Sequence, residues 1–172
     1  MPARPANLSF RWIPALILVA TSLLPVAFGQ QTNPHQQILE IVSQHAAHFC
    51  ATSKAIWDHP ELGYQEVKSS ALLQHDLRAA GFRVEAGVAD EPTAFVATFG
   101  RGQPVIGIMG EFDALPGLSQ AAVPDRSVIV PNGPGHACGH NLLGSGAALA
   151  AVAMKEYLVR IPGHVNKRSG KW

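Results

Sequence analysis

Cysteine is scarce in this 172-residue chain, which has only Cys50 and Cys138 and no Cys-x-x-Cys pair; a thiol-redox motif is therefore excluded. Charge is thin as well, at 15% with a formal net charge of +1, and no run of Lys or Arg lines a helix face. Nucleic acid is thus excluded as the main partner, and Lys167, Arg168 and Lys171 near the C-terminus read as a short solvated tail. No clean apolar run reaches the roughly 18 residues of a spanning helix. Residues 13–27 come nearest and are broken by Pro14 and Pro25. Internal repeats and low-complexity segments are missing too, while the 47% hydrophobic content is enough for one domain core and excludes general disorder.

What is present begins with a leader. Arg4 and Arg11 precede the apolar run, and Ala27-Phe28-Gly29 sets small residues where a signal peptidase reads. Residues 1–29 are expected to be a signal peptide, giving a secreted or periplasmic protein with no stable membrane span after removal; a retained anchor is the competing reading. In an exported chain Cys50 and Cys138 could pair. Cys50 instead sits beside Phe49 at helical spacing from Ala46 and Ser53, where a buried structural thiol is expected.

Asn33-Pro34 supplies a cap and a first-turn proline, and Ile38, Ile41, Val42, Ala46, Phe49, Ile56 and Trp57 mark one face of a helix over residues 34–57. Pro60 and Gly63 end it. A second helix over 65–80 carries Ala71, Leu73 and Leu77 inward and stops at Gly81. The period then changes, and 82–88, 93–99 and 105–109 read as three strands. The last, Val-Ile-Gly-Ile-Met, is apolar on both faces and is expected to be a central strand covered by helices. Residues 110–135 show only Pro and Gly punctuation, and a final helix follows over 141–159. The fold class is α/β.

Two constellations carry chemistry. In Gly135-His136-Ala137-Cys138-Gly139-His140-Asn141, donors recur every second residue at the mouth of a helix. Thiolate and imidazole suit zinc and its neighbours, and a helix N-terminus favours the thiolate. A glycine-loosened loop with a buried Cys is the plainer reading. In Gly110-Glu111-Phe112-Asp113-Ala114-Leu115-Pro116, two carboxylates project the same way from an extended chain. Glu111 and Asp113 are either polar residues at a strand end or the groups that fix the tautomer of ligating imidazoles.

These two segments, together with Trp57-Asp58-His59-Pro60-Glu61-Leu62-Gly63-Tyr64-Gln65-Glu66, resemble in order the three N-terminal motifs of the M20 metallopeptidase and amidohydrolase family. The branch of p-aminobenzoyl-glutamate hydrolase and the aminoacylase-like amidohydrolases is nearest. The resemblance covers about residues 55–159 and implies the N-terminal part of an M20-type catalytic domain over 30–159, with the lid and dimerisation domain absent. It implies Cys138 and His140 as metal ligands and Asp113 as the carboxylate supporting the site. Glu111 falls where other branches place a histidine ligand. His136 matches the motif without a clear ligand role, and Asn141 stands where many relatives have Asp; with Glu111 these count as supporting candidates.

The implied reaction is hydrolysis of the amide bond of N-acyl or N-aroyl amino acids by a divalent metal, zinc or manganese first and cobalt or nickel compatible. Full-length relatives are implied to be dimeric. Family members are more than twice as long and place a general-base Glu and further ligands downstream, so this chain is expected to be an inactive fragment, with 160–172 a divergent, disordered tail. The alternative is a non-catalytic metal-binding or partner-binding module.

Overall fold

The computed structural model describes Met1 and residues 33–161. The signal-peptide expectation and residues 162–172 of the expected tail lie outside the described residues.

Three helices and a hairpin make the fold: α1 Pro34–Asp58, α2 Val67–Ala79, β1 Arg83–Ala86, β2 Phe95–Thr98 and α3 His140–Arg160. The start of α1 follows the sequence, since Asn33 accepts a hydrogen bond from the His35 amide at 3.0 Å and Pro34 fills the first turn, where its missing N–H costs nothing. The helix stops at His59, ahead of Pro60. α2 begins at Val67 rather than at residue 65, and Gly81 follows its end at φ +85°, the left-handed conformation that glycine tolerates.

α1 and α3 run antiparallel. His45 on α1 pairs with Glu156 near the end of α3 at 2.8 Å, and Asn141 at the start of α3 donates to Ser53 Oγ at 3.1 Å. Phe49 and Ile56 of α1, Leu73 and Leu77 of α2, and Ala148 and Val152 of α3 form the buried core. Phe82, Val84, Phe95, Ala97 and Phe112 close it from the hairpin side, with the Phe95 and Phe112 rings stacked at 6.0 Å. The α1–α2 seam is polar: buried Asp76 accepts from Thr52 Oγ1 at 2.7 Å and from His48 Nε2 at 3.1 Å. A buried carboxylate needs such partners, because removing it from water unpaired would cost several kcal/mol, to order of magnitude.

The structure corrects four expectations. β1 and β2 pair antiparallel, Arg83 opposite Thr98 and Ala86 opposite Phe95, and they are the whole sheet among the described residues. Residues 105–109 form no strand, for no neighbouring strand completes a ladder with them, and Val105 and Met109 are 77% and 85% exposed. The site is therefore not set in a crevice at the end of a central strand. Cys50 is exposed, not buried. At roughly 100° per residue it lies off the centre of the buried stripe of Ile41, Phe49, Thr52, Ser53 and Ile56. Ala71 likewise faces outward on α2. α3 reaches Arg160, one residue into the segment expected to be tail.

Candidate metal centre

The three motifs, far apart in sequence, are joined through their backbones. Leu62 bridges Ala114 in parallel, with the Ala114 N–H donating to the Glu61 carbonyl at 2.7 Å. Leu115 and Gly135 exchange two hydrogen bonds at 3.0 Å each. Gly135 is required there, because a Cβ would collide with the Leu118 carbonyl. The segment 110–135 has no helix or strand of its own, yet these bridges bring the carboxylate motif against the loop that starts α3.

His140 is the first residue of α3 and lies between the two carboxylates. Its Nδ1 is 2.7 Å from Asp113 Oδ1, and its Nε2 is 3.1 Å from Glu111 Oε2. The His140 side chain is 15% exposed, against 31% for Asp113 and 56% for Glu111, so the cluster opens to solvent on the Glu111 side. Carboxylate oxygens only accept, so Nδ1–H donates to Asp113. Nε2 then faces the Glu111 carboxylate across 3.1 Å.

Cys138, two residues earlier, is a free and exposed thiol just ahead of the α3 N-terminus. Gly139 caps that helix at φ +76° without a side-chain hydrogen bond, leaving the positive end of the dipole beside the thiol and the carboxylates. His136 and Asn141 turn the other way, onto α1. His136 is buried, donates from Nε2 to the Ile56 carbonyl at 3.2 Å and lies with its ring centroid 6.5 Å from that of Trp57. Burial holds its pKa below the ordinary imidazole value, against the Ile56 carbonyl, which favours the charged form. Asn141 is buried against Ser53. Of the six candidate residues, the structure thus gathers His140, Asp113 and Glu111, leaves Cys138 exposed two residues before His140, and gives His136 and Asn141 contacts that lock the loop to α1.

Sequence reasoning passed over Glu61, in the first motif. Its carboxylate accepts from the Lys68 and Ser69 amides at 2.9 and 2.8 Å and from the Ser69 hydroxyl at 2.8 Å, satisfying α2 N-terminal donors that the cap residue Glu66 leaves without a side-chain partner. The signal was legible as an acid just after a proline and shortly before a helix.

As to metal, the donor types suit a borderline divalent ion: an open thiol, and an imidazole whose far nitrogen is fixed by a carboxylate. Among the described residues no group of three His, Cys, Asp or Glu is placed to hold one.

No family model matches the chain. Curated proteins do. One subunit of the p-aminobenzoyl-glutamate hydrolase of Escherichia coli (strain K12) is 49% identical over 104 residues, 60% of this chain and 22% of that protein. The Xaa-Arg dipeptidase of Homo sapiens is 31% identical over 137 residues, 72% of this chain and 28% of that protein. The IAA-amino acid hydrolase ILR1-like 5 of Arabidopsis thaliana is 32% identical over 113 residues, 65% of this chain and 25% of that protein. The chain thus spans about a quarter of the length of the curated relatives it matches. With two hydrolases and a dipeptidase from three distant organisms matching it, the chain belongs with them to the M20 family of metallopeptidases and amidohydrolases.

Proposed function

We propose that this chain contributes the Cys138–His140 ligand loop and the Asp113 carboxylate to a metal-dependent amidohydrolase that cleaves the amide bond of N-acyl or N-aroyl amino acids of the p-aminobenzoyl-glutamate kind. The observation that carries the reading is His140 with a carboxylate on each ring nitrogen, at 2.7 and 3.1 Å. A histidine serving only the core would not need both.

Asp113 fixes the Nδ1–H tautomer and makes Nε2 the better donor. Cys138, exposed just ahead of the helix, offers its sulfur as the second donor. Glu111 adds negative charge on the solvent side. Cys138 and His140 would hold a divalent cation, zinc or manganese first, which would supply Lewis acidity toward an amide carbonyl. His136 and Asn141 do not reach it; they anchor the loop to α1. With two donors of the thiolate and imidazole class, affinity is modest and the chain by itself turns over no substrate, since catalytic zinc sites use about three protein ligands. The similarity to a protein that is one subunit of a hydrolase supports an assembly of more than one chain. Export rests on residues 1–29 alone.

Zinc titration of the purified chain tests the reading. Cys138→Ser and His140→Ala are each expected to weaken binding at least about tenfold, while Cys50→Ser leaves it unchanged. Equal losses from Cys50→Ser and Cys138→Ser would point to a pair of cysteines acting together and would overturn the assignment.

A second reading, a partner-binding module without catalysis of its own, is favoured by one observation, the exposed apolar segment at 105–109.

A further inference from the structure

α2 carries a second stripe beside the one that buries Leu73 and Leu77. Val67, Ser70, Ala71, Gln74 and Arg78 follow at intervals of three and four residues along it, and Pro92 and Thr93 face them across an open groove. The groove has a volume of about 280 Å³, the room of roughly nine water molecules. Its walls differ in chemistry. Val67 is 68% exposed, and Ala71 and Pro92 are exposed with it, which makes one part apolar. The polar residues are buried and bonded in series. Thr93 Oγ1 donates to Glu66 Oε2 at 2.7 Å, Ser70 Oγ to the Thr93 carbonyl at 2.6 Å, and Gln74 Nε2 to Ser70 Oγ at 2.9 Å. Gln74 Oε1 in turn accepts from the Arg78 guanidinium at 2.9 Å. Ser70, Gln74 and Thr93 are 2%, 9% and 6% exposed, so these bonds hold both walls and the guanidinium in place.

Arg78 is exposed, and Gln74 occupies one of the five N–H donors of its guanidinium. Among the described residues no carboxylate lies within ion-pair distance of it. Because the side chain reaches back one turn to Gln74, the charge stands one turn from Ala71 rather than at the end of the helix. Glu66 is roughly 12 Å along the axis from Gln74 and turns its carboxylate to Thr93, so it leaves an anion at Arg78 unopposed. A guanidinium positioned by a buried amide, with spare donors and no acid of its own, matches a carboxylate, and the apolar wall before it matches an apolar body. The geometry points to a binding site for a small amphipathic carboxylate, a single ring or short aliphatic chain with one anionic end. The anion sits on Arg78 and the body lies along Val67, Ala71 and Pro92. Both walls are already held by their own hydrogen bonds, so little ordering opposes binding. None of these residues belongs to the His140 cluster, and the site does not depend on the amidohydrolase reading.

Titration of the full chain with benzoate in metal-free buffer, followed by backbone amide NMR, tests the site. Saturable shifts are expected at Ser70, Ala71, Gln74 and Thr93. Arg78→Gln is expected to weaken binding at least about tenfold, and Ala71→Phe, which fills the groove from an exposed position, to abolish it. Arg160→Gln on α3 and His140→Ala are expected to leave the affinity unchanged. Equal binding of benzyl alcohol would show an apolar crevice with no use for the anion, and equal binding of acetate an arginine with no use for the groove; either result overturns the proposal. So does the absence of saturable shifts, an affinity indifferent to Arg78→Gln, or a loss on His140→Ala that places benzoate at the candidate metal centre. Shifts produced by an acidic peptide and not by benzoate would assign the groove to a protein partner and overturn it as well.

Discussion

Glu61 shows how a motif residue can serve the scaffold. Burial raises its pKa, but the Lys68 and Ser69 amides, the Ser69 hydroxyl and the Lys68 charge together outweigh burial and hold it below the ordinary carboxylate value. A group whose folded pKa is depressed stabilises the fold above its unfolded pKa, and the contribution is lost as pH falls through the folded value. Glu61→Gln is therefore expected to cost about 1 kcal/mol near neutrality and nothing in acid below the ordinary carboxylate range. Denaturant midpoints of the two proteins across that range check this. A gap that persists or widens in acid would show that the carboxylate charge is not what caps α2. The same scale separates the histidines of the loop. His136 and His140 stand at equivalent places in a period-two pattern, yet one is buried against the Ile56 carbonyl and the other lies between two carboxylates. Spacing could propose them as a pair. Only the turn at Gly139, which starts α3, sends them to different partners.

Among the elements, the helices were legible in the sequence because capping and periodicity agree. Asn33-Pro34 opens α1, Pro60 lies past its end, Gly81 follows α2, and the core stripe of α1 contains Ile41, Phe49 and Ile56 as expected. The hairpin was legible as well, from its β-branched and aromatic content, though shorter than the periodic segments. The third strand was misread because composition reports what a segment could pair with, and pairing needs a partner. Val105-Ile106-Gly107-Ile108-Met109 has strand composition and no ladder. Gly135 is the element-scale device that composition hides. It lets the start of the loop ahead of α3 lie against Leu118 while exchanging two hydrogen bonds with Leu115. Gly135→Ala forces a backbone shift there and is expected to destabilise the protein by about 1–3 kcal/mol. A lowered melting temperature with weaker zinc binding is the expected result; unchanged melting would mean that the loop is not held by this bridge.

For the molecule as a whole, order along the chain foretold assembly in space. Three motifs met in sequence as separate segments are linked by the Leu62–Ala114 and Leu115–Gly135 bridges, and the antiparallel α1–α3 pair holds the loop through Ser53 and Asn141. The candidate residues could be named from the sequence because their types and spacing are chemically specific. Their division into those that gather at His140 and those that pack on α1 could not, since it depends on which side of each turn a side chain leaves. The central claim is that Asp113 holds His140 as the Nδ1–H tautomer so that Nε2 is the nitrogen offered to a metal. Long-range proton–nitrogen NMR of the His140 ring, before and after zinc, tests it most directly. The account predicts that Nδ1 keeps its proton throughout while the Nε2 resonance moves into the metal-bound range. A zinc-induced change at Nδ1, or a His140 ring that does not respond while zinc binds elsewhere, would contradict it.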